Sequence, residues 1–65
     1  MTLIINGERQ QTEAATLARL LETLELGDSV VATALNGRFV RAVDRERTAL
    51  KDGDAVEILA PRQGG

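Results

Sequence analysis

The 65-residue chain contains no cysteine, no histidine, no tyrosine and no tryptophan. The absence of thiols excludes disulfides, thiolate chemistry and cysteine-based zinc sites. The ionisable groups that remain are ten carboxylates, seven arginines, one lysine and the two chain termini. This inventory is a poor one for an enzyme, and the fold must be stabilised by packing alone.

Strong net charge and long apolar runs are also missing. The net charge is -2 and the single aromatic side chain is Phe39, so the chain lacks the basic and aromatic surfaces that bind nucleic acids. No apolar run approaches the roughly 18 to 20 residues that span a bilayer, and no basic segment precedes the apolar residues at the start. We therefore expect one small cytoplasmic domain that contacts neither nucleic acid nor membrane.

Two Asn-Gly pairs predict β-hairpins with two-residue turns: Asn6-Gly7 and Asn36-Gly37. The strands that they connect are predicted over residues 1–5 and 8–12 in the first hairpin, and over residues 31–35 and 38–40 in the second. The second strand of the first hairpin is polar on both faces, which is typical of an edge strand. Alternation in the second hairpin places Phe39 on the sheet face that points away from the helix.

One amphipathic helix is predicted from leucines at i, i+3, i+4 and i+7, namely Leu17, Leu20, Leu21 and Leu24. Either Thr12 or Thr16 is a candidate for the N-cap, because a threonine hydroxyl accepts a hydrogen bond from the first turn. Gly27 is predicted to take the left-handed conformation that ends the helix.

The second half of the chain predicts a connection, a turn and a last strand. Residues 41–49 alternate in charge without an apolar stripe, so we expect an irregular connection with one helical turn around residues 44–47. Residues 51–54 predict a turn, and residues 55–60 predict a strand that Pro61 ends. This apolar strand fits the centre of the sheet, parallel to the first strand.

This order of elements predicts an α+β fold of the β-grasp type, a mixed sheet of about five strands with one helix across one face. The domain is expected over residues 1–60, followed by a flexible tail over residues 61–65. Its predicted core consists of Leu3, Ile5, Leu17, Leu20, Leu21, Leu24, Val31, Leu35, Val40, Leu50, Val56 and Ile58.

Few residues suggest chemistry within the domain itself. The glycines at 7, 27, 37 and 53 form no phosphate-binding loop, and each has a turn or cap role. Asp52 and Asp54 lack the further oxygen ligands that a calcium loop needs, so we assign them to a turn and expect no metal site. Lys51 lies in the same polar turn and is expected to be exposed, which argues against a Schiff-base lysine.

The end of the chain, Pro61-Arg62-Gln63-Gly64-Gly65, is the feature with no structural role. Because glycine has no Cβ, Gly64 and Gly65 suit a tail that enters a narrow channel and presents a carboxylate to another enzyme. The alternative is a frayed terminus without function. Arg62, Gly64 and Gly65 are thus the candidate residues that thread into a partner.

These residues resemble a known family. A β-grasp with Leu35-Asn36-Gly37, Leu50-Lys51-Asp52-Gly53-Asp54, Val56-Glu57-Ile58 and Gly64-Gly65 is similar to the ThiS family, the sulfur carrier proteins of thiamine biosynthesis. That family is related to ubiquitin and to MoaD, the small subunit of molybdopterin synthase. The chain departs from the family pattern after the fourth strand, with Arg41-Ala42 and Arg45 where Pro-Arg and then an aromatic residue are common.

The resemblance implies a protein substrate rather than an enzyme. An E1-like (ThiF-like) adenylyltransferase would use ATP and Mg²⁺ to adenylate the Gly65 carboxylate, and a persulfide donor would convert the adenylate to a thiocarboxylate. A ThiG-like thiazole synthase would take the sulfur, and the carrier itself would bind no cofactor. The alternatives are a carrier for molybdopterin or another pathway, a ubiquitin-like protein modifier, and a ligand-binding domain with an incidental tail.

A partner-binding patch is expected on the sheet face opposite the helix. Strand alternation places four apolar residues on that face, Ile4, Ala34, Phe39 and Leu59. The alternative is that the 41–49 connection folds over Phe39 and makes it part of a minor core.

Overall fold

The computed structural model describes residues 1–60 of the chain, so the predicted tail over residues 61–65 lies outside the described part. Five strands and one α-helix follow one another as β1 (Thr2–Ile5), β2 (Glu8–Gln11), α1 (Leu17–Thr23), β3 (Ala32–Leu35), β4 (Arg38–Val40) and β5 (Ala55–Leu59). A 3₁₀ helix over Ala42–Arg47 lies between β4 and β5. The predicted elements are all present, and β1, β2, β3 and β5 are each one residue shorter than predicted.

The five strands form one mixed sheet in the order β2-β1-β5-β3-β4. The last strand, β5, is central as predicted, parallel to β1 and antiparallel to β3. In the second hairpin Leu35 faces Arg38 and Ala34 faces Phe39, which is the predicted register. The architecture is therefore the expected α+β β-grasp, with α1 across one face.

Both hairpin turns place asparagine and glycine at positive φ, as a two-residue type I′ turn requires. The asparagine side chains have a second role that the sequence did not indicate. Asn6 pairs with Ile58 through both its amide nitrogen (3.1 Å to the carbonyl oxygen) and its amide oxygen (2.9 Å from the backbone nitrogen). Asn36 accepts a hydrogen bond from the Ala55 backbone at 2.9 Å. The two turns thus contact the central strand from opposite sides.

The core lies between α1 and one face of the sheet. Its buried apolar residues are Leu3, Ile5, Ala14, Leu17, Leu20, Leu21, Leu50, Val56 and Ile58. The other predicted core residues, Leu24, Val31, Leu35 and Val40, are half-buried and pack against this cluster. The prediction missed Ala14 and also Thr33, a polar residue that is 1% exposed.

Burial of the polar Thr33 is tolerated because its hydroxyl group both donates and accepts a hydrogen bond. It donates a hydrogen bond to the Val40 carbonyl at 2.9 Å and accepts one from Arg45 Nε at 3.0 Å. Arg45 also donates to the Val31 carbonyl at 2.7 Å. Arg45 therefore joins the connection to β3 through hydrogen bonds, on the helix side of the sheet.

The 3₁₀ helix packs against α1, and Phe39 on the opposite face is 70% exposed. The alternative in which the 41–49 connection covers Phe39 is therefore wrong. The helical turn is also longer than predicted, because it begins at Ala42 with a hydrogen bond from the Asp44 backbone to the Arg41 carbonyl at 2.9 Å. No helix among residues 1–60 is long and apolar enough to cross a membrane.

The ends of α1 confirm one prediction and correct another. Thr16 is the N-cap, and its hydroxyl accepts a hydrogen bond from the Arg19 backbone at 3.2 Å. The prediction that Gly27 ends the helix is wrong, since the left-handed residue is Glu25 at φ 63°. The Leu26 backbone donates to the Leu21 carbonyl at 2.8 Å, which closes a Schellman motif two residues earlier and brings Leu26 against the core.

The left-handed glutamate predicts a stabilising substitution. A non-glycine residue in this conformation costs about 1–2 kcal/mol. Glycine avoids that cost, but it also raises the conformational entropy of the unfolded chain, which cancels part of the gain. We expect Glu25→Gly to raise the free energy of unfolding by about 0.5–1 kcal/mol in urea denaturation. Gly27→Ala is the control, since a Cβ there meets only Glu22 at 3.5 Å. Destabilisation by Glu25→Gly would contradict the prediction.

Candidate functional site

The sheet face opposite α1 carries the predicted patch residues. The strand pairing places Ile4, Ala34, Phe39 and Leu59 on this face, as alternation predicted. Phe39 and Leu59 are 70% and 68% exposed. Large apolar side chains with this exposure have no packing role within the described residues, so they are available to contact another molecule.

The structure brings three of these four residues together. Phe39 pairs with Ala34 across the hairpin, and Leu59 pairs with Ala32 on the neighbouring strand. They line one shallow groove of about 90 Å³, formed by Ala32, Thr33, Ala34, Phe39, Glu57 and Leu59. Ile4 is separate, because it pairs with Ala55, and Glu57 lies between it and Ala34 on the same face.

Sequence reasoning missed two residues of this surface, Val30 and Ala32. Val30 is 79% exposed and lines a second groove, which shares Ala32 and Leu59 with the first. The period-2 pattern could have found both, since residues 30, 32 and 34 alternate onto one face. We call the surface formed by Val30, Ala32, Ala34, Phe39 and Leu59 the open-face patch.

The open-face patch lies beside the point where the chain leaves the sheet. Ala60, the last described residue, lines the second groove with Val30 and Leu59. The predicted tail residues Arg62, Gly64 and Gly65 follow directly in sequence and lie outside the described residues. A partner seated on the patch would therefore be next to the start of the tail.

The turn before β5 holds its carboxylates in structural hydrogen bonds, as predicted. Asp52 Oδ1 accepts from the Thr2 backbone at 2.7 Å. Asp54 accepts from the Asn36 side chain at 3.0 Å and from the Lys51 backbone at 2.8 Å. The Asn36 hydrogen bond, followed by that from Lys51, lowers the pKa of Asp54 below its usual value. Among residues 1–60 no three acidic or other metal-binding side chains come together.

Nearly the whole chain matches a known protein family. The family model of the ThiS family matches residues 3–65. The chain belongs to the ThiS family. ThiS sulfur carrier proteins are small carrier proteins and not catalysts.

Two relatives show how this ThiS-family chain is related to carriers of known pathways. It is 36% identical over 61 residues to the sulfur carrier protein ThiS of Thermus thermophilus, and the alignment covers 94% of this chain and 95% of that protein. It is 46% identical over 62 residues to the molybdopterin synthase sulfur carrier subunit of Chlamydomonas reinhardtii, which covers 91% of this chain and 71% of that protein.

A solved ThiS structure has the same fold. The crystal structure of the thiamine biosynthesis protein ThiS from Geobacter metallireducens matches with a TM-score of 0.83 at 33% identity, over 100% of both chains. The solution structure of the thiamine biosynthesis protein from the same organism gives a TM-score of 0.82, over 100% of this chain and 88% of that one. The predicted ubiquitin-like β-grasp and the resemblance to the ThiS family are confirmed.

The lowered pKa of Asp54 predicts an acid-sensitive contribution to stability. The hydrogen bonds favour the folded carboxylate, so its stabilisation is present above the usual pKa of 3.8 and is lost as the pH falls through the lower folded value. We expect the urea midpoint to fall between about pH 5 and about pH 3, and to fall less in Asp54→Asn. Asp28→Asn, which changes an exposed aspartate outside the turn, is the control. Equal pH dependence in the wild-type and Asp54→Asn chains would refute the assignment.

Proposed function

We propose that the chain is a sulfur carrier whose Gly65 carboxylate is adenylated and then converted to a thiocarboxylate that supplies sulfur for thiazole formation in thiamine biosynthesis. The observation that supports this most strongly is the ThiS-family match, which runs through the β-grasp domain and includes Gly64 and Gly65. A second support is the Geobacter ThiS structure, which the chain matches over its full length.

The chemistry explains why a carrier needs partners. A carboxylate oxygen of Gly65 attacks the α-phosphorus of ATP, and pyrophosphate leaves. The negative charge that protects a carboxylate from nucleophiles is thereby lost, and AMP becomes the leaving group. A persulfide sulfur then attacks the carbonyl carbon, AMP departs, and a thiol cleaves the resulting acyl disulfide to leave the thiocarboxylate. Each catalytic group belongs to a partner, and this chain contributes the reacting carbon.

The partners follow from these steps. An E1-like, ThiF-like adenylyltransferase binds ATP and Mg²⁺, a persulfide protein supplies sulfur, and a ThiG-like thiazole synthase accepts it. The chain itself holds no cofactor in this scheme. We assign docking on these partners to the open-face patch, because it is the exposed apolar surface beside Ala60, where the tail begins. Gly64 and Gly65 would enter the active-site channel, with Arg62 at its mouth.

A second candidate function is sulfur donation to molybdopterin, supported by the 46% identity to the Chlamydomonas subunit. The thiamine assignment is preferred because the alignment with Thermus ThiS covers 95% of that protein, against 71% of the molybdopterin subunit. An experiment distinguishes the two candidate functions. The thiocarboxylated protein is added to a thiazole synthase and, separately, to a molybdopterin synthase large subunit, and the product that gains sulfur is identified.

Intact-mass spectrometry of the chain isolated from its native cells tests the carrier proposal. We expect a species heavier than the unmodified chain by the difference between sulfur and oxygen, located at Gly65. Gly64→Val should lack it, because a branched side chain obstructs a narrow channel, whereas the control Gly27→Ala should retain it. Higher-mass conjugates to other proteins would instead identify a modifier. Activity that persists after removal of Gly64 and Gly65 would identify a ligand-binding domain.

Substitution of Phe39 tests the docking surface. Because Phe39 is 70% exposed, we expect Phe39→Ser to lower the free energy of unfolding by less than about 1 kcal/mol, the range for surface positions on a strand. The same change should raise the KM of the chain in ATP–pyrophosphate exchange by the adenylyltransferase about tenfold or more. Val43→Ser is the matched control, since Val43 is 66% exposed on the 3₁₀ helix. An unchanged KM for Phe39→Ser would show that the adenylyltransferase does not dock on the open-face patch.

A further inference from the structure

Strand β3 presents small side chains on the sheet face opposite α1. These are Ala32 and Ala34, whereas Thr33 between them is buried on the other face. The strands on either side of β3 carry larger residues on the open face, Phe39 on β4 and Leu59 on β5. Because two methyl groups lie between longer side chains, the surface forms a groove at this point.

Within the described part of the chain, one charged side chain lines this groove, Glu57 of β5. Ala34 pairs with Glu57 on one side and with Phe39 on the other, so the carboxylate and the aromatic ring flank the same alanine. Two strand spacings separate their backbones by about 10 Å. The groove has a volume of about 90 Å³, which is small for a small-molecule site and suits a single side chain.

Glu57 is exposed and has no cationic partner among residues 1–60. The two ion pairs in those residues lie on α1 and on the 3₁₀ helix, away from the open face of the sheet. Arg9 is on the open face, but it lies on β2 opposite Ile4, and β1 separates β2 from β5. An exposed carboxylate without a partner is hydrated, so the charge of Glu57 is stabilised by water in the free chain.

Docking of a partner on the open-face patch would remove this water. Contacts with Phe39 and Leu59 cover the groove between them, and Glu57 is covered with it. A carboxylate that loses its water and gains no cation strongly opposes binding, whereas a hydrogen-bonded cation compensates for the lost water. A partner that fits the patch must therefore bring a positive charge into the groove.

The lining of the groove favours arginine over lysine as the source of that charge. A planar guanidinium stacks on an aromatic ring and donates two parallel hydrogen bonds to a carboxylate, and its methylene stem packs on apolar surface. Phe39, Glu57 and the alanines of β3 offer these three contacts, and a cation above β3 is about 5 Å from each neighbouring strand. A lysine ammonium is more strongly hydrated and binds as a point charge.

We infer that this groove binds an arginine side chain of the adenylyltransferase, with the guanidinium group between Phe39 and Glu57. Glu57 is then a specificity-determining residue of the open-face patch, because a partner with an apolar surface but no cation at this point would leave the carboxylate buried and unpaired. The inference rests on the proposed docking of that enzyme on the open-face patch.

A peptide titration of the full chain tests the groove without any enzyme. The probes are acetyl-Leu-Arg-Leu-amide and the same peptide with citrulline, which has the shape of arginine without its charge, or with lysine. We expect the arginine peptide to shift the backbone amide NMR signals of Ala34, Phe39 and Leu59 about threefold more than the citrulline peptide, with the lysine peptide between them. Glu57→Gln should remove these differences. Equal shifts by the arginine and citrulline peptides, or larger shifts by the lysine peptide, would overturn the inference.

Glu8→Gln is the matched control in both assays, because Glu8 is an exposed glutamate on β2 that pairs with the core residue Ile5 and so lies on the other face. It should behave like the wild type.

ATP–pyrophosphate exchange by the adenylyltransferase tests the partner. At low salt, Glu57→Gln should raise the KM of the chain about tenfold with kcat unchanged, and Glu57→Arg should raise the KM further. Added salt should raise the KM of the wild-type chain more than that of Glu57→Gln, because salt screens an ion pair only where one forms. A wild-type chain that is adenylated with the same KM as Glu57→Gln would overturn this inference alone, whereas a wild-type chain that is not adenylated would refute the proposed function.

Discussion

The pairing of β5 with β1 on one side and β3 on the other is the interaction on which the rest of the structure depends. It joins the two hairpins into one sheet, and it buries Val56 and Ile58 beneath α1. The side chains of Asn6 and Asn36 add hydrogen bonds to the same strand from both turns. Without β5 each hairpin would be an isolated two-stranded unit, which is marginal in water.

The fold was predictable where local chemistry and tertiary packing favour the same conformation. Both Asn-Gly turns, the leucine stripe of α1 and the apolar residues of β5 each indicate one structure, and the structure contains it. The end of α1 was not predictable in this way. Gly27 has the better intrinsic preference for left-handed backbone, but Glu25 adopts it because Leu26 then packs against the core.

The sequence predicted which face of the sheet carries the candidate site, but it did not predict which residues of that face lie together. Alternation identified Phe39 and Leu59, whereas the separation of Ile4 depends on which strands are neighbours. The role of Arg45 was likewise invisible in the sequence, because an arginine in a charged connection is normally solvated. Its hydrogen bonds to Thr33 and Val31 exist only because β3 lies next to that connection in space. The predicted tail lies outside the described residues.

The position of β5 has a mechanical consequence. A partner that grips the tail applies tension along the axis of the strand in the middle of the sheet, not along an edge. The hydrogen bonds to β1 and β3 lie across that axis, so they are loaded together in shear and must fail together. The polar edge strand β2 carries none of this load directly. The sheet order therefore suits the proposed entry of the tail into a partner's active site, because a pull on the end of β5 is resisted by two neighbouring strands while the domain stays folded.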